Sequence, residues 1–136
     1  MFRLHERLAA ETFAVARWPL CRVLLMNDRT YPWLILVPER EGLKDLHDLE
    51  PADHGAVMAE IGRAARALQR LFKPDKINVA ALGNVVPQLH VHVIARFTTD
   101  AAWPRPVWGV RAPEPYDEAG AREAITRLGR AFAEND

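Results

Sequence analysis

Apolar positions along the chain follow two spacings. Between Pro51 and Phe72 they fall at Val57, Ile61, Ala64, Ala65, Leu68, Leu71 and Phe72. Steps of three and four put side chains on one face of an α-helix. Pro51 suits a first helical turn and Pro74 stops continuation, so the spacing predicts a helix over 51–72, roughly 30 Å long at ~1.5 Å per residue. A second stripe, Ala121, Ala124, Ile125, Leu128 and Phe132, predicts a C-terminal helix from about Asp117. Residues 4–11 suit a short helix. Elsewhere the pattern reads as strand: Thr12–Leu20, Cys21–Met26, Trp33–Val37, Lys76–Leu82 and Leu89–Phe97. The run Trp33–Val37 is continuously apolar and ends at Pro38, as expected of a strand covered on both faces. Turn formers at 27–32, a polar link over Glu39–Asp48 and a loop over Gly83–Pro87 separate these elements. Residues 98–116 carry Pro104, Pro106, Pro113 and Pro115, too many prolines for a regular element. Their Trp103 and Trp108 argue against simple disorder. With no repeat or linker, residues 1–136 read as a single α+β domain.

One strand carries the chemistry. Residues 88–94 are Gln-Leu-His-Val-His-Val-Ile. Strand alternation places Gln88, His90 and His92 on one face, with Leu89, Val91 and Val93 anchoring the other in a core. Two histidines at this spacing have three readings. They can be packed residues without chemistry, although histidine is scarce in cores. They can be two ligands of a metal, which needs a third; His5, His47 and His54 show no ligand spacing with them. Or a neutral imidazole can attack phosphorus while its other nitrogen, bonded to a carbonyl, fixes the tautomer.

Composition narrows the setting of that row. The chain has 136 residues, long enough for a real core, and Lys plus Arg balance Asp plus Glu at 18 each. Zero net charge gives no electrostatic reason to expect a nucleic-acid polymer or a membrane surface as partner. The single cysteine, Cys21, lies in an apolar stretch and reads as a packed thiol in a reducing cytoplasm. Residues 1–13 hold no apolar run of signal-peptide length, and no later stretch approaches a membrane span.

Gln88-Leu89-His90-Val91-His92-Val93-Ile94 resembles the signature of the histidine triad (HIT) family, in which three histidines alternate with hydrophobic residues, here with glutamine in the first position. The resemblance extends from about residue 20 to 105. Asn78 and Gly83 fall near an asparagine and a glycine that precede the family's triad. Asn27-Asp28 followed by Trp33–Pro38 is similar to its acidic ribose-contacting turn and proline-ended strand, and Trp103-Pro104 to a tryptophan-proline pair beyond the triad. The resemblance implies a HIT-like fold: an antiparallel sheet of about five strands with the long helix packed on it and a C-terminal helix. It also implies a homodimer formed through the long helix and a neighbouring strand.

In function the resemblance implies hydrolysis or nucleotidyl transfer at the α-phosphate of a nucleoside phosphate conjugate, of phosphoramidase, dinucleoside polyphosphate hydrolase or nucleotidyl transferase type. No cofactor and no metal are implied. His90 matches the nucleophile that forms a covalent nucleotidyl-histidine, and His92 the histidine that contacts the phosphate. Asn27, Asn78 and Gly83 match positions around the nucleotide, with Asp28 competing for the place of Asn27, and Asn84 is a further candidate contact that can compensate for a missing serine at the next position. Two departures bear on catalysis. Gln88 cannot titrate, so it cannot pass a proton to a leaving group, although it can hydrogen-bond. Val85 stands where many members carry a serine. Weaker or narrower catalysis is expected, and a nucleotide-binding module without turnover is the alternative. A metal-dependent enzyme is a third.

Overall fold

A computed structural model describes residues 1–134 of the chain. The strand predicted from the continuous apolar run, β3 (Trp33–Pro38), is buried at every position and is the central strand of the sheet. Around it lie β1 (Thr12–Arg17), β2 (Cys21–Met26), β4 (Lys76–Ala80) and β5 (Val91–Arg96), in the order β1-β2-β3-β5-β4. Each neighbouring pair is antiparallel. Alternation along β3 divides its side chains between two cores. Leu34 and Leu36 enter one cluster, and Trp33, Ile35 and Val37 the other.

The first cluster is closed by two helices, α2 (Pro51–Phe72) and α3 (Glu118–Glu134). α2 keeps the predicted limits: Pro51 opens its first turn, and Lys73 ends it in the left-handed conformation before Pro74. Its buried stripe, Val57, Ile61, Ala64, Ala67 and Leu68, packs with Leu89, Val91, Val93 and Ala95 and with Leu128 and Phe132 of α3. Glu60, also buried on α2, accepts the backbone N–H groups of Leu20 (3.0 Å) and Cys21 (2.8 Å). That pair of bonds ties the helix to the turn between β1 and β2. It satisfies a buried charge with two donors. Burial, reinforced by Glu60, pushes the Cys21 thiol well above its ordinary pKa, so it packs as an unreactive apolar group.

The opposite face is covered by the short helix α1 (Glu6–Glu11), the loop before β5 and the irregular segment 98–116. Leu8, Val86, Ala102 and Val107 are buried there against Leu24, Ile35 and Ile94. The order of segment 98–116 comes from a buried ion pair. Arg96, at the end of β5, meets Asp100 through Nε–Oδ2 at 2.8 Å and Nη2–Oδ1 at 3.1 Å. Arg96 also donates to the Arg105 carbonyl and to Asn78 Oδ1, both at 2.8 Å. Asp100 in turn accepts from the backbone N–H groups of Phe97, Ala102 and Trp103. Burial alone would raise the Asp100 carboxyl, but Arg96 and these N–H donors outweigh it and hold the pKa at about 2.

Strands end earlier than their hydrophobic patterns suggest. β1 stops at Arg17, where Trp18 N–H turns back to the Cys21 carbonyl. β4 ends at Ala80 rather than Leu82, and β5 begins at Val91 rather than Leu89. Ahead of Val91, the Leu89 N–H bonds to the Leu43 carbonyl instead of a strand partner. Residues 88–90 therefore lie outside the ladder. Among the described residues no helix is long and apolar enough to cross a membrane.

Candidate active site

β5 and the chain just ahead of it bring His90 and His92 together, with ring centroids 4.9 Å apart. Both are buried, and each has one ring nitrogen committed. His90 Nδ1 lies 2.7 Å from the Gln88 carbonyl oxygen. A carbonyl can only accept, so Nδ1 carries a proton, and in the neutral ring Nε2 is the nitrogen with the lone pair. His92 has the opposite arrangement. Its Nδ1 accepts from the Trp33 indole Nε1–H at 3.0 Å, which leaves the proton of the neutral ring on Nε2. Burial, and secondarily the neighbouring His90, lowers the His92 pKa from 6.5 to about 3. With both rings neutral, the pair presents one nitrogen lone pair, on His90 Nε2, and one N–H donor, on His92 Nε2.

The two rings open into a cleft of about 290 Å³. Apolar side chains dominate its walls: Leu8, Met26, Ile35, Val85 and Trp108. Trp108 stacks edge-on to His92 at 4.9 Å and to Trp33 at 5.7 Å. A smaller polar set converges from Arg7, Glu11, Thr12, Asn84 and the histidines. An apolar cavity with a few placed polar groups is the usual form of a small-molecule site. Gly83, at φ +70°, turns the loop that forms one rim, a conformation that side-chain-bearing residues resist.

Four of the predicted site residues meet at this cleft: His90, His92, Gly83 and Asn84. The other three do not line it. Gln88 turns to the N-terminal segment, where its Oε1 accepts the His5 N–H (2.8 Å) and its Nε2 donates to the Arg3 carbonyl (2.9 Å). The cause is the late start of β5, which releases Gln88 from strand alternation. Asn27 Oδ1 accepts the Tyr116 N–H at 2.9 Å. Asn78 Oδ1 is held by Arg96. Asp28, the competitor of Asn27, is buried and accepts from the N–H groups of Thr30 and Glu114.

Sequence reasoning missed the α1 wall, with Arg7, Leu8 and Glu11, and the bond from Trp33 to His92. The Arg7–Glu11 spacing reads as an ordinary solvated helical pair. No local signal places it beside a histidine more than eighty residues away. Trp33 was expected as core, and its ring is indeed buried, but its N–H is what fixes the His92 tautomer.

Comparison with known proteins bears on the family and the fold. The family profile described as the HIT domain matches residues 7–99. The chain superposes on a histidine triad protein of Bradyrhizobium japonicum with a TM-score of 0.93 and 48% identity, covering 96% of this chain and 98% of that one. A histidine triad protein of Marinobacter aquaeolei VT8 gives a TM-score of 0.95 and 44% identity over 100% and 99% of the two chains. A curated relative from Mycobacterium tuberculosis, AP-4-A phosphorylase, is 35% identical over 103 residues. That match covers 67% of this chain and 50% of the relative, so the chain spans about half the relative's length. Five antiparallel strands, the two helices behind them and the matched profile together establish that the chain belongs to the histidine triad family.

Proposed function

We propose that this protein is a nucleotide-processing hydrolase or nucleotidyl transferase acting at the α-phosphate of a nucleoside phosphate conjugate, with His90 as its nucleophile. The observation that carries the proposal is the bond from His90 Nδ1 to the Gln88 carbonyl, which presents a lone pair on Nε2. In the first step that lone pair forms a bond to phosphorus, and the bond from phosphorus to the leaving group breaks. The leaving group departs with the electron pair. The imidazole ring becomes cationic while Nδ1–H stays on the Gln88 carbonyl, an acceptor that stabilises the charge. In the second step water or another acceptor attacks phosphorus, the P–N bond breaks with its electron pair returning to Nε2 so that the ring is neutral again, and the proton of the attacking water passes to solvent. His92, neutral at working pH, donates Nε2–H to a non-bridging oxygen and spreads the developing charge. Gly83 and Asn84 contact the nucleotide from the rim, and Leu8, Met26, Val85 and Trp108 offer apolar surface for its base. Asn27 and Asn78 serve by holding adjoining segments. The name of the AP-4-A phosphorylase relative supports a dinucleoside polyphosphate or a related conjugate as substrate class.

Mixing the protein with a nucleoside phosphoramidate or a dinucleoside polyphosphate, quenching, and measuring intact mass tests this directly. An increase of one nucleotidyl group is expected, lost in His90→Ala. A second reading, binding without turnover, is favoured by the Gln88 side chain, which is engaged with residues 3 and 5 and offers no proton to a leaving group. Nucleotide binding with no adduct on any histidine would select it. We also propose a homodimer through α2 and the nearby edge strand β4, where Met58 and Val79 are exposed. Sedimentation showing only monomer at micromolar concentration would remove that proposal.

A further inference from the structure

We propose that Arg7 is the phosphate-binding cation of this cleft, and that Gln88 is a positioning residue that holds α1 so that Arg7 faces it. The inference rests on the nucleotide reading above. A nucleoside phosphate brings negative charge into a cleft whose two histidines are poor sources of positive charge: His92 is kept neutral, and His90 must keep a lone pair to attack. Among the described residues lining the cleft, Arg7 alone carries a permanent positive charge. Its present partner, Glu11, meets it at 3.2 Å with both side chains about half exposed. Such a pair contributes little, so the guanidinium can turn to a phosphate with small loss.

The position of Arg7 is built by contacts far from it in sequence. The Gln88 amide clamps the chain on both sides of residue 4, accepting from His5 N–H and donating to Arg3 O. His5 Nδ1 then accepts the Arg7 N–H at 3.1 Å, and the His5 carbonyl accepts from Ala9. Leu8 is buried in the second core, with Phe2 and Leu4 packed beside it. At the other end of α1, Thr12 Oγ1–H bonds to the Leu8 carbonyl, and the Asn27 N–H to the Glu11 carbonyl. α1 is thereby fixed at both ends with its Arg7–Glu11 edge on the cleft. The side chain two residues before the nucleophile does not reach the reacting phosphate in this arrangement. It recruits a charge from the N-terminal segment instead.

Calorimetric titration with AMP and GMP, each beside its nucleoside, tests the proposal on wild type, Arg7→Ala, Arg7→Lys, Gln88→Ala and the Arg7→Ala/Gln88→Ala pair. Loss of a hydrogen bond to a charged group predicts that Arg7→Ala weakens monophosphate binding by about ten- to a hundredfold. Nucleoside binding should stay within about twofold, and Arg7→Lys should recover part of the loss. Gln88→Ala should weaken the monophosphate alone, and add little in the Arg7→Ala background because the two act as a unit. Unchanged monophosphate binding in Arg7→Ala, or equal losses for nucleotide and nucleoside, overturns the role of Arg7. A Gln88→Ala loss that adds fully to the Arg7→Ala loss overturns the positioning role and puts Gln88 at the phosphate itself. In all of these cases a nucleotidyl adduct on His90 leaves the enzymatic reading standing. If the wild type binds neither monophosphate and forms no adduct, both fall.

Discussion

Acidification from pH 7 to pH 5 should destabilise the fold through His92. In the folded protein its pKa is about 3, against an ordinary value of 6.5, because burial and then His90 disfavour the charged ring. Between those two values the unfolded chain binds a proton that the folded chain refuses. Stability therefore rises with pH across this window, is undiminished above about pH 6.5, and is lost progressively toward pH 3. At pH 5 the gap spans about 1.5 pH units, worth about 2 kcal/mol at ~1.4 kcal/mol per unit. That is a sizeable part of the ~5–15 kcal/mol available to a typical domain. Urea unfolding at both pH values measures it, with His92→Asn as the reference. The asparagine oxygen can still accept from Trp33 Nε1–H but cannot titrate. Carboxylates contribute alike to both proteins, so the difference between their pH 7 to pH 5 losses isolates the ring. If wild type and His92→Asn lose the same stability, or if NMR shows a charged His92 at pH 5, the reasoning about its buried neutral state is wrong.

Two other substitutions probe the supports of the site. Trp33→Phe removes the donor to His92 Nδ1 and should cost about 1–3 kcal/mol for the unsatisfied nitrogen, with a shift in ring tautomer visible in nitrogen NMR; an unshifted tautomer would show that another contact fixes the ring. Asp100→Asn leaves Arg96 buried without its counter-charge and should cost about 3–5 kcal/mol, with faster proteolysis in segment 98–116 and a loosened Trp108; thermal unfolding and limited digestion read both effects.

Where local pattern determined structure, the sequence could be read closely. The limits of α2 followed from its periodicity and from Pro51 and Pro74, and burial of β3 on both faces followed from its unbroken apolar run. The His90–His92 pair was legible because alternation survives at those two positions. Gln88 was not, because the extent of a strand is decided by its partner. The Leu89 N–H bonds to Leu43, the ladder starts only at Val91, and the side chain two residues before His90 turns to the N-terminal segment. Arg96 shows the same limit. Nothing local to Arg96 announces a buried partner, yet the turn after β5 brings Asp100 onto it and buries both. The contributions of Arg7 and Glu11 were invisible for the strongest version of this reason, since only the tertiary fold brings α1 beside β5.

The proposed chemistry turns on attack of His90 Nε2 on phosphorus. Rapid quench of the wild type with a nucleoside phosphoramidate or a dinucleoside polyphosphate, followed by intact-mass and peptide analysis, measures it most directly. One nucleotidyl group attached to His90 is expected, formed and then lost during turnover, and absent from His90→Ala. Turnover by His90→Ala at the wild-type rate, or an adduct on any other residue, would contradict it.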